Sequence, residues 1–211
     1  MRYLFLYLGF VLPQTAAAQL IRHFEVGSYV LQTEPTVAHP AGLYTPDGQQ
    51  LLVHDLSGRT ETLTPLQVSS FRMAGRRFVT TGGFTARTGG NRGYVPQAFA
   101  EQLDSGQVML LRYTNPAGTT SGVSQSGAFV YGGPSSSTVY LLRTGNKEAA
   151  LTTVESNWSR RDPQLLAALR PYLAARPDLL QLLEAKRLAP KQLPIIIHAL
   201  NSGQPLPGGV R

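Results

Sequence analysis

The sequence predicts an α+β protein: an antiparallel β-sheet or partly open β-barrel, followed by a short three-helix C-terminal segment. Three observations lead there. Short β-suited runs separated by turn residues recur from about residue 20 to 156. Leucine- and isoleucine-rich runs at helical spacing occupy 160–203. No repeat of 20–50 residues is present, which sets solenoids and propellers aside.

The chain opens with "MRYLFLYLGFVLPQTAAAQ". Arg2, the apolar run Tyr3 to Leu12 and the small residues Ala16–Ala18 have the order of a secretory leader, so 1–18 is expected to be a signal peptide cleaved before Gln19. Export to the periplasm or the cell exterior follows as an expectation. The chain has no cysteine, which excludes a Cys-anchored lipoprotein, thiol catalysis and disulfide staples. At 211 residues it is long enough for packing alone to hold one domain with a small appendage.

Within the β-rich region, 19–156, "GSYVLQT" (27–33) reads as a strand. "GLYTPDGQQLLVHD" (42–55) reads as a hairpin turning at Pro46-Asp47-Gly48, where proline presets φ and glycine accepts positive φ. "TETLTP" (60–65) is a short strand, and "SSFRMAGRRFVTTGGF" (69–84) a second hairpin turning at Ala74-Gly75. "DSGQVMLLRYT" (104–114) begins as a turn and continues as a strand. "STVYLLRT" (137–144) and "EAALTTVES" (148–156) form a last hairpin about Gly145-Asn146. Two stretches read as loops: glycine-rich 85–99, and 115–137, whose glycine, serine and threonine offer too little apolar mass to offset their ordering entropy. The second is expected to be mobile and to join two paired strands.

Asp162-Pro163 supplies an N-cap and a first-turn proline. Leu165, Leu166, Leu169, Tyr172 and Leu173 follow at helical spacing, and Pro171 is expected to kink or break the helix. A second helix starts at Pro177-Asp178. A third starts at Pro190 and ends near Asn201-Ser202-Gly203, with its stripe on Leu193, Ile196, Ile197 and Leu200. Helices this short need a surface to pack on. The tail 204–211 is expected to fray.

The stretches "TPLQVSSFRMAGRRFV", "FAEQLDSGQVMLLRY", "YLLRTGN" and "LRPYLAARPDLLQLLEAKRLAPKQLPIIIHALN" together span most of the chain beyond the leader. In them the chain resembles a family of uncharacterised exported proteins of Bacteroidetes-type bacteria. The resemblance implies export and the β-then-α order. It carries over no activity and no site residues, and it marks 115–137 as an insertion.

No catalytic, cofactor or metal constellation is legible. The four histidines, His23, His39, His54 and His198, have no chelating spacing, and His54 and Asp55 should point to opposite faces of a strand. His198 reads as a boundary residue without an acid at helical spacing. There is no nucleophile elbow, and the twelve acids are dispersed. Asp47, Asp55, Asp104 and Asp162 suit turns or caps, and Glu101 and Glu184 suit solvent. Candidate interaction residues remain: Arg87 and Arg92, in a glycine-rich stretch able to cradle an anion, and Trp158 beside Arg160 and Arg161. Trp158 reads more simply as a plug at the sheet–helix junction.

Lysine and arginine total 19 against 12 acids, a net charge of +7 that becomes +6 once Arg2 leaves with the leader. That balance favours an anionic partner: an envelope protein, a glycan or an anionic lipid surface. No focused basic and aromatic patch calls for nucleic acid. The reading is an exported, non-enzymatic cell-envelope or secreted binding or accessory protein. The alternatives are an envelope-directed hydrolase with a loop-assembled site, and a purely structural or stress-related envelope protein.

Overall fold

The computed structural model describes residues 23–88, 91–116, 121–123, 129–131, 136–145 and 149–206. The leader expected at 1–18 lies outside them. The fold is α+β, a broad antiparallel sheet that does not close, followed by three C-terminal helices. The strands are β1 (Glu25–Leu31), β2 (Ala38–Tyr44), β3 (Leu51–His54), β4 (Thr60–Leu63), β5 (Val68–Met73), β6 (Arg76–Thr81) and β7 (Phe84–Thr88). They continue with β8 (Asn91–Val95), β9 (Ala98–Asp104), β10 (Val108–Pro116), β11 (Ser121–Val123), β12 (Phe129–Tyr131), β13 (Ser136–Thr144) and β14 (Thr152–Glu155). Ten of them form one sheet in the order β14-β13-β10-β9-β6-β5-β1-β2-β3-β4, while β7–β8 and β11–β12 are separate hairpins.

The expected hairpins form where local turn chemistry is strong. β2 pairs with β3, and β5 pairs with β6, placing Phe71 opposite Phe78. The β5–β6 turn has Ala74 at φ 50° and Gly75 at φ 73°, the two positive φ values of a primed hairpin turn. β13 pairs with β14 as expected.

Two expectations are corrected. Residues 85–99 are not a loop: β7 and β8 pair from Phe84↔Val95 to Thr88↔Asn91, and β9 begins at Ala98. Phe84, Ala86 and Val95 are buried while Arg87 and Tyr94 are exposed, a period-2 alternation that glycine-rich composition masks. Within 115–137, β10 and β13 do pair as expected, from Val108↔Thr144 to Pro116↔Ser136. Between them, however, β11 and β12 form a short hairpin of their own, so the segment is not simply a loop. Its remaining parts, 117–120, 124–128 and 132–135, lie outside the described residues.

Three apolar clusters hold the molecule. Strands β1 to β6 and β9 curl around Leu43, Leu51, Val53, Val68, Phe71, Met73 and Phe99. Phe71 stacks on Phe78 at 4.6 Å and meets Phe99 edge-on at 5.1 Å. The other two clusters share β10 and β13. Val108, Leu110, Tyr140 and Leu142 face the helices. Leu111, Tyr113, Val139 and Leu141 face the β7–β8 hairpin with Phe84, Ala86 and Val95. Both faces of these strands are therefore covered, which explains their nearly continuous apolar sequence.

The helices are α1 (Pro163–Leu173), α2 (Pro177–Glu184) and α3 (Leu193–Ser202), the last preceded by one 3-10 turn at Pro190–Gln192. Asp162 caps α1, accepting from the Gln164 amide at 2.9 Å. Pro171 does not break α1, because it falls in the last turn and the helix ends two residues later. Gly203, at φ 70°, ends α3 in the left-handed region. Leu165, Leu169, Leu173, Leu179, Leu183, Leu193, Ile196, Ile197 and Leu200 all enter the helix–sheet cluster. The tail expected to fray from 204 is held at first: Arg176 Nη2 donates to the Gln204 carbonyl at 3.2 Å and Leu206 packs on the cluster. Residues 207–211 lie outside the described residues. Among the described residues, no helix is long and apolar enough to cross a membrane.

One polar clamp joins the end of α3 to the sheet. Asn201 Oδ1 accepts from the Val108 amide at 2.9 Å, and its Nδ2 lies 2.8 Å from the Val108 carbonyl and 2.9 Å from Asp104 Oδ1. His198 Nδ1 lies 2.8 Å from the other Asp104 oxygen. Asn201→Ala leaves the Val108 amide and carbonyl without partners and should lower stability by about 2–4 kcal/mol. His198→Ala, which removes a ring whose side chain is 72% exposed, should cost less than about 1 kcal/mol. Urea denaturation of the two variants checks both values.

Candidate functional site

In β1, Gly27 and Tyr29 lie on the inner side of the curled half, and Glu25 shares their face, two residues before Gly27. Val26, on the opposite face, is 93% exposed. A carboxylate therefore occupies an inward position at the mouth of the curl. Beside it the β2–β3 turn crosses the sheet. The Gly48 carbonyl accepts from the Phe99 amide at 2.6 Å. This is where β9 and β10 part, since their pairing ends at Arg112↔Glu101. Gly48 has φ +71°, and a Cβ there would stand 3.3 Å from both the Phe99 carbonyl oxygen and the Tyr113 ring. Asp47 tightens the turn by accepting from the Gln49 and Gln50 amides at 2.9 and 3.1 Å.

These elements enclose an open cleft of about 400 Å³. Its floor is apolar, from Leu43, Met73, Phe78 and Phe99. Its polar wall carries Glu25, Thr45, Asp47, Glu101 and Arg112, with His23 and Arg76 at the rim. Arg112 donates to Glu101 Oε2 from Nε at 3.2 Å and from Nη2 at 2.5 Å. Arg76 lies 5.4 Å above the Phe78 ring. Glu25 Oε2 and Thr45 Oγ1 are shut off from solvent without a hydrogen-bond partner. An unpartnered buried polar atom costs about 1–3 kcal/mol, so two on one wall require an explanation. Burial pushes the neighbouring Tyr113 phenol above its ordinary range.

The interaction residues expected from sequence fall elsewhere. Arg92 Nη2 lies 2.7 Å and Arg87 Nε 3.5 Å from the Glu155 carboxylate, whose side chain is 10% exposed. Trp158 lines a small cleft with Arg92 and Glu155 while packing against the helix–sheet cluster, the plug position. The structure thus brings Arg87, Arg92 and Trp158 to one place, but the two arginines serve a buried carboxylate. Arg160 and Arg161 are exposed and not part of that contact.

His39 stacks on Tyr29 at 5.2 Å and lies 3.1 Å from Glu34, and His54 lies 3.1 Å from Thr60 Oγ1. Asp55 caps the β3–β4 turn; the hydroxyl of Ser57 and the amide of Arg59 hold its carboxyl below the usual range. Among the described residues, no three His, Asp or Glu side chains form a metal-binding group.

Two sequence readings are corrected. Glu101 does not face solvent; its side chain is 12% exposed and paired with Arg112. Asp104 does not cap a turn but accepts from α3, so His198 has an acid partner 94 residues away. Glu25 was missed altogether. Its signal lay in the inward register of "EVGSYVL", which pairing alone establishes. No protein-family model matches the chain, and no curated protein or solved structure matches it either.

The turn forms one wall of the cleft and is pinned to β9 through Gly48. Gly48→Ala must strain φ and displace the Phe99 backbone or the Tyr113 ring. It should lower stability by about 1–3 kcal/mol. Hydrogen exchange should then show the Phe99 amide opening faster while the Val108 amide stays protected.

Proposed function

We propose that the chain is an exported, non-enzymatic binding protein of the cell envelope or secreted fluid, and that the cleft of the curled half takes its ligand. The observation that carries this is the pair of unpartnered polar atoms on the wall of a concave site, the acceptor Glu25 Oε2 and the Thr45 hydroxyl, which can accept or donate. A volume of about 400 Å³ lies in the range of ligand clefts, roughly 300–1,000 Å³. The ligand this wall suits is rich in hydrogen-bond donors and has an apolar face for Phe78 and Phe99. An envelope oligosaccharide has both properties.

One observation favours a second reading, an envelope-directed hydrolase. His23 and the carboxylates Glu25, Asp47 and Glu101 line this one cleft, and acid–base chemistry draws on such groups. Asp47 is committed to its turn and Glu101 to Arg112, which leaves Glu25 as the free carboxylate and supports binding over turnover.

Glu25→Leu separates function from stability. Removing an orphaned acceptor should leave the fold as stable or raise stability by up to about 2 kcal/mol. Calorimetric titration with envelope oligosaccharides should show affinity falling at least tenfold. An unchanged affinity, or no binding of any oligosaccharide by the unaltered protein, refutes this site. Release of reducing ends that Glu25→Gln abolishes establishes the hydrolase instead.

A further inference from the structure

The charge of the chain is not spread evenly over the fold. Residues 23–101 carry six arginines and six acids, and 102–156 carry three of each sign. Residues 157–206 carry seven arginines and lysines against three acids, a net +4. The whole excess outside the chain ends therefore sits on the helical segment. Within it, Arg170 pairs with Glu184 at 2.7 Å and Arg176 with Asp178 at 2.8 Å. Lys186, Arg187 and Lys191, in the link between α2 and α3, are exposed and make no ion pair with any described residue.

The backbone of this link carries a second, independent feature. The Lys186 amide donates to the Leu183 carbonyl at 2.9 Å and the Arg187 amide to the Leu182 carbonyl at 3.0 Å. This is a Schellman-type ending, whose left-handed position favours glycine. Lysine holds it at φ 58°, one of two non-glycine residues with positive φ among those described. A strained residue that glycine would relieve points to a use for its side chain. A cation at a helix C-terminus gains from the helix dipole, but Arg187 beside it supplies that already. One turn beyond Lys191 on the same exposed side, Ile195 leaves a large apolar side chain 44% exposed.

We infer that the α2–α3 link is a docking face for an anionic lipid membrane surface. Lys186, Arg187 and Lys191 meet the phosphate headgroups, and Ile195 enters the interface among them. Charge complementarity is the argument: three unpaired cations and one exposed apolar residue within 186–195, a stretch with no acid, match a surface that is uniformly anionic with an apolar layer beneath. None of these residues lines the cleft, so a docked protein keeps its cleft open to ligand.

The test is vesicle co-sedimentation of the chain from Gln19 onward, which contains every described residue. Binding should be stronger to phosphatidylglycerol-containing vesicles than to pure phosphatidylcholine, and should weaken as salt rises from 50 to 300 mM. Each cation near such a surface strengthens binding roughly fivefold, so the triple variant K186Q/R187Q/K191Q should bind on the order of a hundredfold more weakly. The triple variant R59Q/R72Q/R77Q removes the same charge from exposed strand and turn positions of the β-rich region and should bind within about threefold of the unaltered protein, because placement rather than net charge is at work. Lys186→Gly should raise the denaturation midpoint while weakening vesicle binding several-fold. Equal binding to both vesicle types overturns the inference. So does equal loss in the two triple variants, or binding to an anionic polysaccharide without binding to vesicles.

Discussion

Side-chain alternation along β9 and β10 is the constraint on which the rest of the structure depends. A strand places successive residues on opposite faces, so a central strand that is apolar throughout needs cover on both. β10 sends Leu110 toward the helices and Leu111 toward the β7–β8 hairpin. β9 sends Ala98 and Ala100 to the hairpin side, Phe99 into the curl and Leu103 to the helices. Three separate appendages, the hairpin, the helical segment and the curled strands, are thereby pinned to one strand pair. The C-terminal helices supply one of these covers: without them Val108, Leu110, Tyr140 and Leu142 would lie open to water, at about 25 cal/mol for each Å² of apolar surface left uncovered.

The same alternation creates the cleft. Phe99, Glu101 and Leu103 share one face, so the apolar interior of the curl and the helix–sheet cluster meet along that face with a charged pair between them. Glu101 and Arg112 cannot join either cluster without losing their mutual bonds, and a half-buried pair broken on one side leaves a costly lone charge. The apolar cover therefore stops at this pair. The β2–β3 turn enters from the other side and takes the Phe99 amide that β10 leaves free after Arg112. The cleft is the space between an ion pair that resists burial and a turn that completes the sheet's hydrogen bonding.

Local chemistry explains what was legible in the sequence. Pro46-Asp47-Gly48, Ala74-Gly75 and Asp162-Pro163 act within four residues, and each forms the turn or cap expected of it. The order of a β region followed by helices was equally plain from periodicity. What escaped needed distant partners. "AFAEQLD" has no β-branched residue and becomes a central strand only because β6 and β10 flank it. Composition hid the β7–β8 hairpin, where Phe84 and Ala86 alternate with Thr85 and Arg87 ahead of two glycines. In "EVGSYVL" the valines suggest one inward face, whereas pairing with β2 and β5 turns Tyr29, Gly27 and Glu25 inward and leaves Val26 out. A one-residue difference of register separates a surface glutamate from a candidate ligand anchor. Asp104 and His198 likewise meet across 94 residues, with no local trace in either segment.

Stability has been left ungained at separate places, and the places are informative. Leucine at 25 would remove an orphaned acceptor, and glycine at 186 would relieve a left-handed lysine. Each change is a single substitution; the first leaves the fold as stable or raises stability by up to about 2 kcal/mol, and the second relieves roughly 1 kcal/mol of backbone strain. Selection for stability is weak once a fold is stable enough, so one such residue by itself carries little. Their chemistry is less easily dismissed. Glu25 puts an unpaired acceptor in the cleft of the curled half, in the part of the fold that is electrically neutral. Lys186 puts an unpaired cation on the helical segment, where the excess charge gathers. A packing defect has no reason to choose charge by location. A protein that grips a donor-rich ligand at one end and an anionic surface at the other, as proposed above, has that reason.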